Sequence, residues 1–121
     1  MRNEIESAYR TWNEAFNRGH ARALAACYAE NAKLLPPGHA PVGGLGAIET
    51  YWDGMLKAGM TNHTLDLVSV EEDQRGAVAV ARWSAEGKGR DGSKRRFEGS
   101  VVHVFARRQG EPPVIWLHIW N

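Results

Sequence analysis

Apolar residues recur at helical spacing through the first half of the chain and at alternate positions through the second. Ile5, Tyr9, Trp12 and Phe16, with Ala8 and Ala15 beside them, form one stripe, which predicts an amphipathic helix. Asn3 can cap it, with Glu6 three residues on, and Gly19 supplies a left-handed exit. The alanine-rich segment that follows predicts a second helix, with Leu24, Cys27 and Tyr28 on its buried face and Asn31 as its stop. Ala32 to Leu35 reads as a short strand ended by Pro36, Pro37 and Gly38, because proline lacks the ladder donor. Leu45, Ile48, Trp52, Met55 and Leu56 then predict a third helix from about Gly46 to Ala58, with Gly59 closing it. The irregular stretch from Leu34 to Trp52 joins the two kinds of pattern and is expected to rim a pocket.

From Thr61 on the period is two. Leu65 and Leu67 share a face whereas Val68 and Val70 lie on the other, which means either a strand buried on both faces or a bulge near Leu67. Asp73 to Gly76 reads as a turn, Ala77 to Gly87 as a strand, Arg90 to Gly92 as a second turn, and Arg95 to Arg107 as the longest strand, with Gly99 as a kink. A last strand, Val114 to Trp120, follows Pro112 and Pro113. Three helices followed by long strands with tight turns predict an α+β domain spanning 1–121. The helices of the N-terminal half pack on the concave face of a strongly bent, mostly antiparallel sheet.

Composition adds little to this picture. With 43% hydrophobic residues the 121-residue chain can build one core. Lysine and arginine total 15 against 14 acidic residues, a net charge of +1, which gives nucleic acid or an anionic membrane no electrostatic purchase. The single cysteine leaves no intramolecular disulfide, and no cysteine pair or His-x-His run suggests a metal. The start, MRNEIESAYR, has no apolar core of signal-peptide length and no run is long enough to span a membrane, so the expected location is cytoplasmic. Five tryptophans are the unusual number, a payload suited to a core, a pocket wall or an interface.

Several blocks together resemble the nuclear transport factor 2-like superfamily, in its SnoaL-like and ketosteroid isomerase-like branch of small bacterial proteins. They are Trp12-Asn13-Glu14-Ala15-Phe16-Asn17 before Gly19; Tyr28-Ala29-Glu30-Asn31-Ala32 leading to Leu34-Leu35-Pro36-Pro37-Gly38; Gly44 with Ala47-Ile48 and Tyr51-Trp52; and Ile119-Trp120-Asn121. The resemblance covers nearly the whole chain and implies a cone-shaped, cystatin-like fold with an internal pocket and no cofactor. It also implies what is missing. The tyrosine position of the isomerases holds Trp12, the position of their base falls at Leu35 or Pro36, and that of their carboxylic acid falls near Val102. Of the aspartate, arginine, aspartate set of epoxide hydrolases with this fold, at most Arg82 can be matched.

The candidate site follows from both lines. Trp12, Phe16, Tyr28, Trp52 and Met55 either line a pocket for a small apolar or aromatic ligand or fill the core, with Val102 and Trp120 completing the lining. By the resemblance, Arg82, Ser84, Glu86, Glu98 and Ser100 point into the cone, giving Arg82 as a fixed cation and Glu98 as an acid or base. Otherwise they form a solvated ion-pair face. His118 can serve as acid and base in one cycle or simply pack. Alternation puts Trp116, His118 and Trp120 on one face and Ile115, Leu117 and Ile119 on the other. An ungapped alignment turns the second set inward, and a one-residue shift near Pro112 reverses that. His39 and His63 either approach the pocket mouth or, as loop residues usually do, stay solvated, Cys27 reads as core, and Lys88, Arg90, Lys94, Arg95 and Arg96 read as a charged, solubilising hairpin end, with an anion or nucleic-acid site as the minority reading. Both faces of the last two strands carry apolar residues, which predicts a homodimer through the sheet. Function is thus expected to be either cofactor-independent proton transfer, such as isomerisation, cyclisation or dehydration, or non-catalytic ligand or protein binding.

Overall fold

The computed structural model describes residues 1–121 and contains three helices and one six-stranded sheet. Helix α1, Arg2–Asn17, buries Ile5, Tyr9, Trp12, Ala15 and Phe16, the stripe read from the spacing. It starts before Asn3, with no side-chain cap, so that residue lies inside the first turn rather than capping it. Gly19 turns out of the helix at φ +74°, a conformation a side chain with a Cβ rarely adopts. Helix α2, Ala21–Ala25, is far shorter than the alanine content suggests. Tertiary pairing overrides propensity here: Tyr28 already belongs to strand β1, Tyr28–Leu35, and the Cys27 carbonyl accepts a sheet bond from the Ile115 N–H at 3.0 Å. After the two-residue strand β2, Val42–Gly43, helix α3, Leu45–Lys57, buries Ile48 and Trp52.

Strands β3 (Thr61–Glu72), β4 (Gly76–Lys88), β5 (Lys94–Arg108) and β6 (Glu111–Trp120) complete a sheet of order β2-β1-β6-β5-β4-β3. Only β1 and β6 run parallel. Two bulges decide which side chains face the helices. In β3, Leu67 pairs with Ala81 and Ser69 with Val80, so Val68 is the extra residue and Val70 returns to the inner face. In β6, Ile115 pairs with Phe105 and Leu117 with Val104, so Trp116 is extra. Ile115, His118 and Trp120 therefore face inward, and neither of the two alternating sets read from the sequence is inward as a whole.

One cluster of buried residues fills the space between helices and sheet, drawn from α1, β1, α3 and the alanine face of β4. Those alanines let the helices approach the sheet closely. At Gly99, expected only to kink the strand, a Cβ would come within 2.2 Å of the Asn121 carbonyl oxygen and 2.8 Å of Trp83 Nε1. This position therefore needs glycine for room, and the strand continues through it.

Candidate functional site

The interior of the cone holds a line of aromatic and imidazole rings. Trp12 stacks on Phe16 at 5.3 Å between centroids and meets Trp52 edge-on at 5.2 Å. His118 lies 6.1 Å from Trp12, 4.6 Å from Trp120 and 4.2 Å from His103, its register partner on β5. Both imidazoles are almost wholly buried, at 5% and 1% exposure.

The hydrogen bonds fix the state of His118. Trp12 Nε1 donates to the Tyr28 hydroxyl at 3.1 Å, and an indole N–H can only donate. Trp52 Nε1 is buried without a hydrogen-bond partner. With its oxygen accepting, the Tyr28 O–H is the donor to His118 Nδ1 at 2.8 Å. The neutral imidazole then carries its proton on Nε2. Burial holds His118 well below the usual imidazole range, followed by the neighbouring His103 and His63, so it is neutral at physiological pH. The Tyr9 hydroxyl and His103 Nδ1 share a separate 2.9 Å hydrogen bond, joined to the first only through the contact of the His103 and His118 rings.

His63 carries the opposite tautomer. Asn13 and Asn17, one turn apart on α1, clamp it: Asn17 Nδ2 donates to the His63 carbonyl at 3.1 Å, the His63 N–H donates to Asn17 Oδ1 at 2.7 Å, and His63 Nδ1 lies 2.8 Å from Asn13 Oδ1. An amide oxygen only accepts, so Nδ1 bears the proton and Nε2 keeps its lone pair. The ring packs against Trp12, Phe16 and Trp83 at 4.6 to 6.1 Å, and burial pushes its pKa down to about 3. His63 is therefore not a solvated loop residue. The signal was present in the sequence, because His63 alternates with the inward Leu65 and Leu67, as His103 does with Val101 and Phe105.

His63 and His118 both line one inner cavity of about 40 Å³, together with Phe16, Trp52, Trp83 and Trp120. That is room for a water or two. The cavity shares Met55, Met60, Trp83 and Trp120 with a wide basin of about 660 Å³ at the mouth of the cone, bounded by the Pro36 to His39 turn and the Arg95 end of β5. A larger depression of about 710 Å³ lies at the opposite end of β5, beside Ser7, Cys27 and Glu111, away from the histidines. Burial pushes the Cys27 thiol up to about 11, leaving it protonated and a poor nucleophile.

The residues picked out from sequence separate into two groups. Trp12, Phe16, Tyr28, Trp52, Met55, Trp120 and His118 come together around the inner cavity or the rings that enclose it. Arg82 and Val102 do not, and Glu98 reaches only the rim of the outer basin, not the inner cavity. Arg82 is exposed on the outer face and donates to Ser100 Oγ at 2.8 Å, Glu98 is exposed beside Arg96, and Val102 pairs with Val80 and Ile119 on that same outer side. The cause is strand parity. With Ala81, Trp83 and Ala85 packed toward the helices, Arg82 must point away, and its cross-strand partners follow it. Ser84 is buried and shares a hydrogen bond with the edge strand, 2.6 Å from Thr64 Oγ1. No group of three or more His, Cys, Asp or Glu side chains is arranged to hold a metal ion.

The fold recurs among solved structures. Aln2 from a Streptomyces species superposes with a TM-score of 0.86 at 16% identity, over 99% of this chain and 89% of that one. An NTF2-like protein with a cystatin-like fold from Novosphingobium aromaticivorans gives 0.81 at 18% identity, over 98% and 79%. A ketosteroid isomerase-like protein from Erwinia carotovora atroseptica gives 0.77 at 17% identity, over 96% and 91%. No curated protein matches the chain at a significant level. The family model of the SnoaL-like domain matches residues 9–111, which include Trp12, Tyr28, His63, His103 and the whole of β5 and stop short of His118, and the chain belongs to that family.

Proposed function

We propose that the protein binds a small apolar or aromatic ligand at the mouth of the cone and transfers a proton within it, without a cofactor. One observation carries this reading: two neutral histidines of opposite tautomer, His63 with a free Nε2 lone pair and His118 with an Nε2–H, line one cavity. On an enolisable ketone, His63 Nε2 takes the proton from the carbon beside the carbonyl. The C–H electron pair becomes the new C=C bond, and the carbonyl π pair moves to oxygen, where His118 Nε2–H donates to it. Return of the proton to a different carbon completes an isomerisation. Burial makes an isolated imidazolium costly, but the enolate formed beside it is its counter-ion. These groups stand in for the isomerase set whose positions hold Trp12, Leu35 or Pro36, and Val102 here.

The test is deuterium incorporation into β-tetralone in D2O, followed by NMR. His63→Phe, which retains the ring stack, and His118→Gln, which retains an acceptor for Tyr28, should each slow exchange by about a hundredfold or more. Tryptophan quenching that reports ketone binding while exchange stays at the buffer rate would favour the second reading, a non-catalytic binder. The small inner cavity supports that alternative, because it admits only the tip of a ligand.

We also propose that the outer face joins two copies. Val68, Val78, Trp116 and Ile119 are each 39 to 59% exposed there, with the partly exposed Val80, Val102, Val104 and Leu117 among them. Water is a poor partner for such a face. Sedimentation should give a dimer at micromolar concentration, and Trp116→Glu should give a folded monomer; a monomeric parent protein would overturn the assignment.

A further inference from the structure

We infer that the ligand is a flat aromatic body carrying a carboxylate at the end remote from the histidines, and that Arg95 receives it; this rests on the pocket reading above. Three consecutive cations begin β5, and their environments differ. Lys94 pairs with Glu86 at 3.0 Å and Arg96 with Glu98 at 3.8 Å, both carboxylates of the outer face. Arg95 has no carboxylate within ion-pair distance. It shares the inner parity with Phe97, Gly99, Val101 and His103, and its guanidinium lies 5.1 Å over the Phe97 ring. A guanidinium placed over an aromatic ring loses part of its freedom and still has its N–H edge free for a carboxylate.

The surface between Arg95 and the histidines suits a flat body. Opposite Arg95 and Phe97 stand Gly87 and Ala85, which add little or no side chain to the floor. Trp83 and Trp120 form the walls where the outer basin meets the inner cavity. Trp83 Nε1 is already engaged by the Asn121 carbonyl at 3.1 Å, so that indole offers a face rather than a donor. From Arg95 to Val101, which lines the cavity, is six residues of strand, roughly 20 Å at the usual rise. The arginine side chain reaches back over part of that distance. Polar groups thus gather at the two ends, with ring faces, methionine and small residues between: the histidine pair at the bottom, and at the mouth Arg95 beside His39, Asn121 and the Arg96–Glu98 pair, whose charges offset each other and leave Arg95 as the unpaired cation of the rim. A neutral ligand would leave the Arg95 end unused.

The experiment compares β-naphthoate with β-naphthamide, which have the same rings and nearly the same shape, by tryptophan quenching at low ionic strength. Naphthoate should bind about fivefold tighter, the scale of a partly exposed ion pair. Salt should erode the difference. Arg95→Gln should bring naphthoate to the level of the amide and leave the amide unchanged; Arg95→Lys should keep part of the preference; Arg10→Gln, which removes the same charge from the exposed face of α1, should change neither. Equal binding of the two probes by the parent protein, or a preference that survives Arg95→Gln, overturns the inference and leaves the pocket reading standing. Failure of both probes to quench overturns the pocket reading and the inference with it.

Discussion

Acidification from pH 6.5 to pH 4.5 should remove most of the stability of the fold, through histidines rather than carboxylates. His103 and His63 are each depressed from 6.5 to about 3, mainly by burial, and His118 is held well below its ordinary value for the same reason. In the unfolded chain all three regain their ordinary value. Between the two values the unfolded state binds protons that the folded state refuses, so stability rises with pH across this window. It is complete above about 6.5 and is lost as pH falls toward the folded values. Each such group contributes a slope of about 1.4 kcal/mol per pH unit. Because the unfolded imidazoles are only half protonated at pH 6.5, three of them remove on the order of 7 kcal/mol by pH 4.5, comparable with the whole stability of a domain of this size. Asp73, Glu86 and Asp91 are lowered by hydrogen bonds and act only below the usual carboxylate range, so their effect falls in a separate, more acid window. The check is urea unfolding at a series of pH values, followed by tryptophan fluorescence. His103→Leu should reduce the slope by about one third, since one titrating group of three is gone. A stability flat down to pH 4.5 would mean that the imidazoles become charged within the fold and that the interior admits water.

How far the sequence discloses this arrangement depends on which interaction sets each feature. The α1 stripe and the α3 stripe were legible because a helix in contact with a core shows its face directly in residue spacing. The bulge near Leu67 was legible for a similar reason: an apolar alternation that changes face needs an extra residue, and Val68 is that residue. The second bulge, at Trp116, was not, because tryptophan fits either face and the break in pairing depends on where β5 stops following β6. For Arg82 and Glu98 the sequence left two readings open, and strand parity supports the solvated face over the pocket wall carried over from the resemblance. The run Ala77, Ala79, Ala81, Ala85 looks like the weaker face by hydrophobicity, yet small residues are what a sheet needs where helices lie close against it. His63 and His103 stood on inward positions by their own alternation, and the general expectation that a loop-edge histidine is solvated concealed it. The tautomers are beyond the sequence altogether, since they follow from Trp12, Tyr28, Asn13 and their partners meeting across four different elements.

Trp12→Ala should cost about 3 to 5 kcal/mol, the range for emptying a large aromatic site in a core. Trp12 is 1% exposed and contacts Phe16, Trp52, His63 and His118, so the hole it leaves joins the inner cavity and has no neighbour able to collapse into it. The more informative substitutions remove only polarity. Trp12→Phe keeps most of the ring contact but takes away the donor that occupies the Tyr28 oxygen. The Tyr28 hydroxyl is then free to accept, and His118 can place its proton on Nδ1 instead. A modest loss of about 1 kcal/mol, the net value of one hydrogen bond, should therefore accompany a mixed His118 tautomer in the ring nitrogen NMR shifts and slower exchange of β-tetralone. Tyr28→Phe strands both the Trp12 N–H and His118 Nδ1 in a buried site, at about 1 to 3 kcal/mol for each unsatisfied group. The double variant strands only His118 Nδ1. Its cost should fall short of the sum of the two single variants, with a coupling of order 1 kcal/mol by double-mutant cycle. Strict additivity, with His118 still holding its proton on Nε2 in Trp12→Phe, would show that the indole and the phenol are neighbours in packing alone and that something other than Tyr28 sets the histidine.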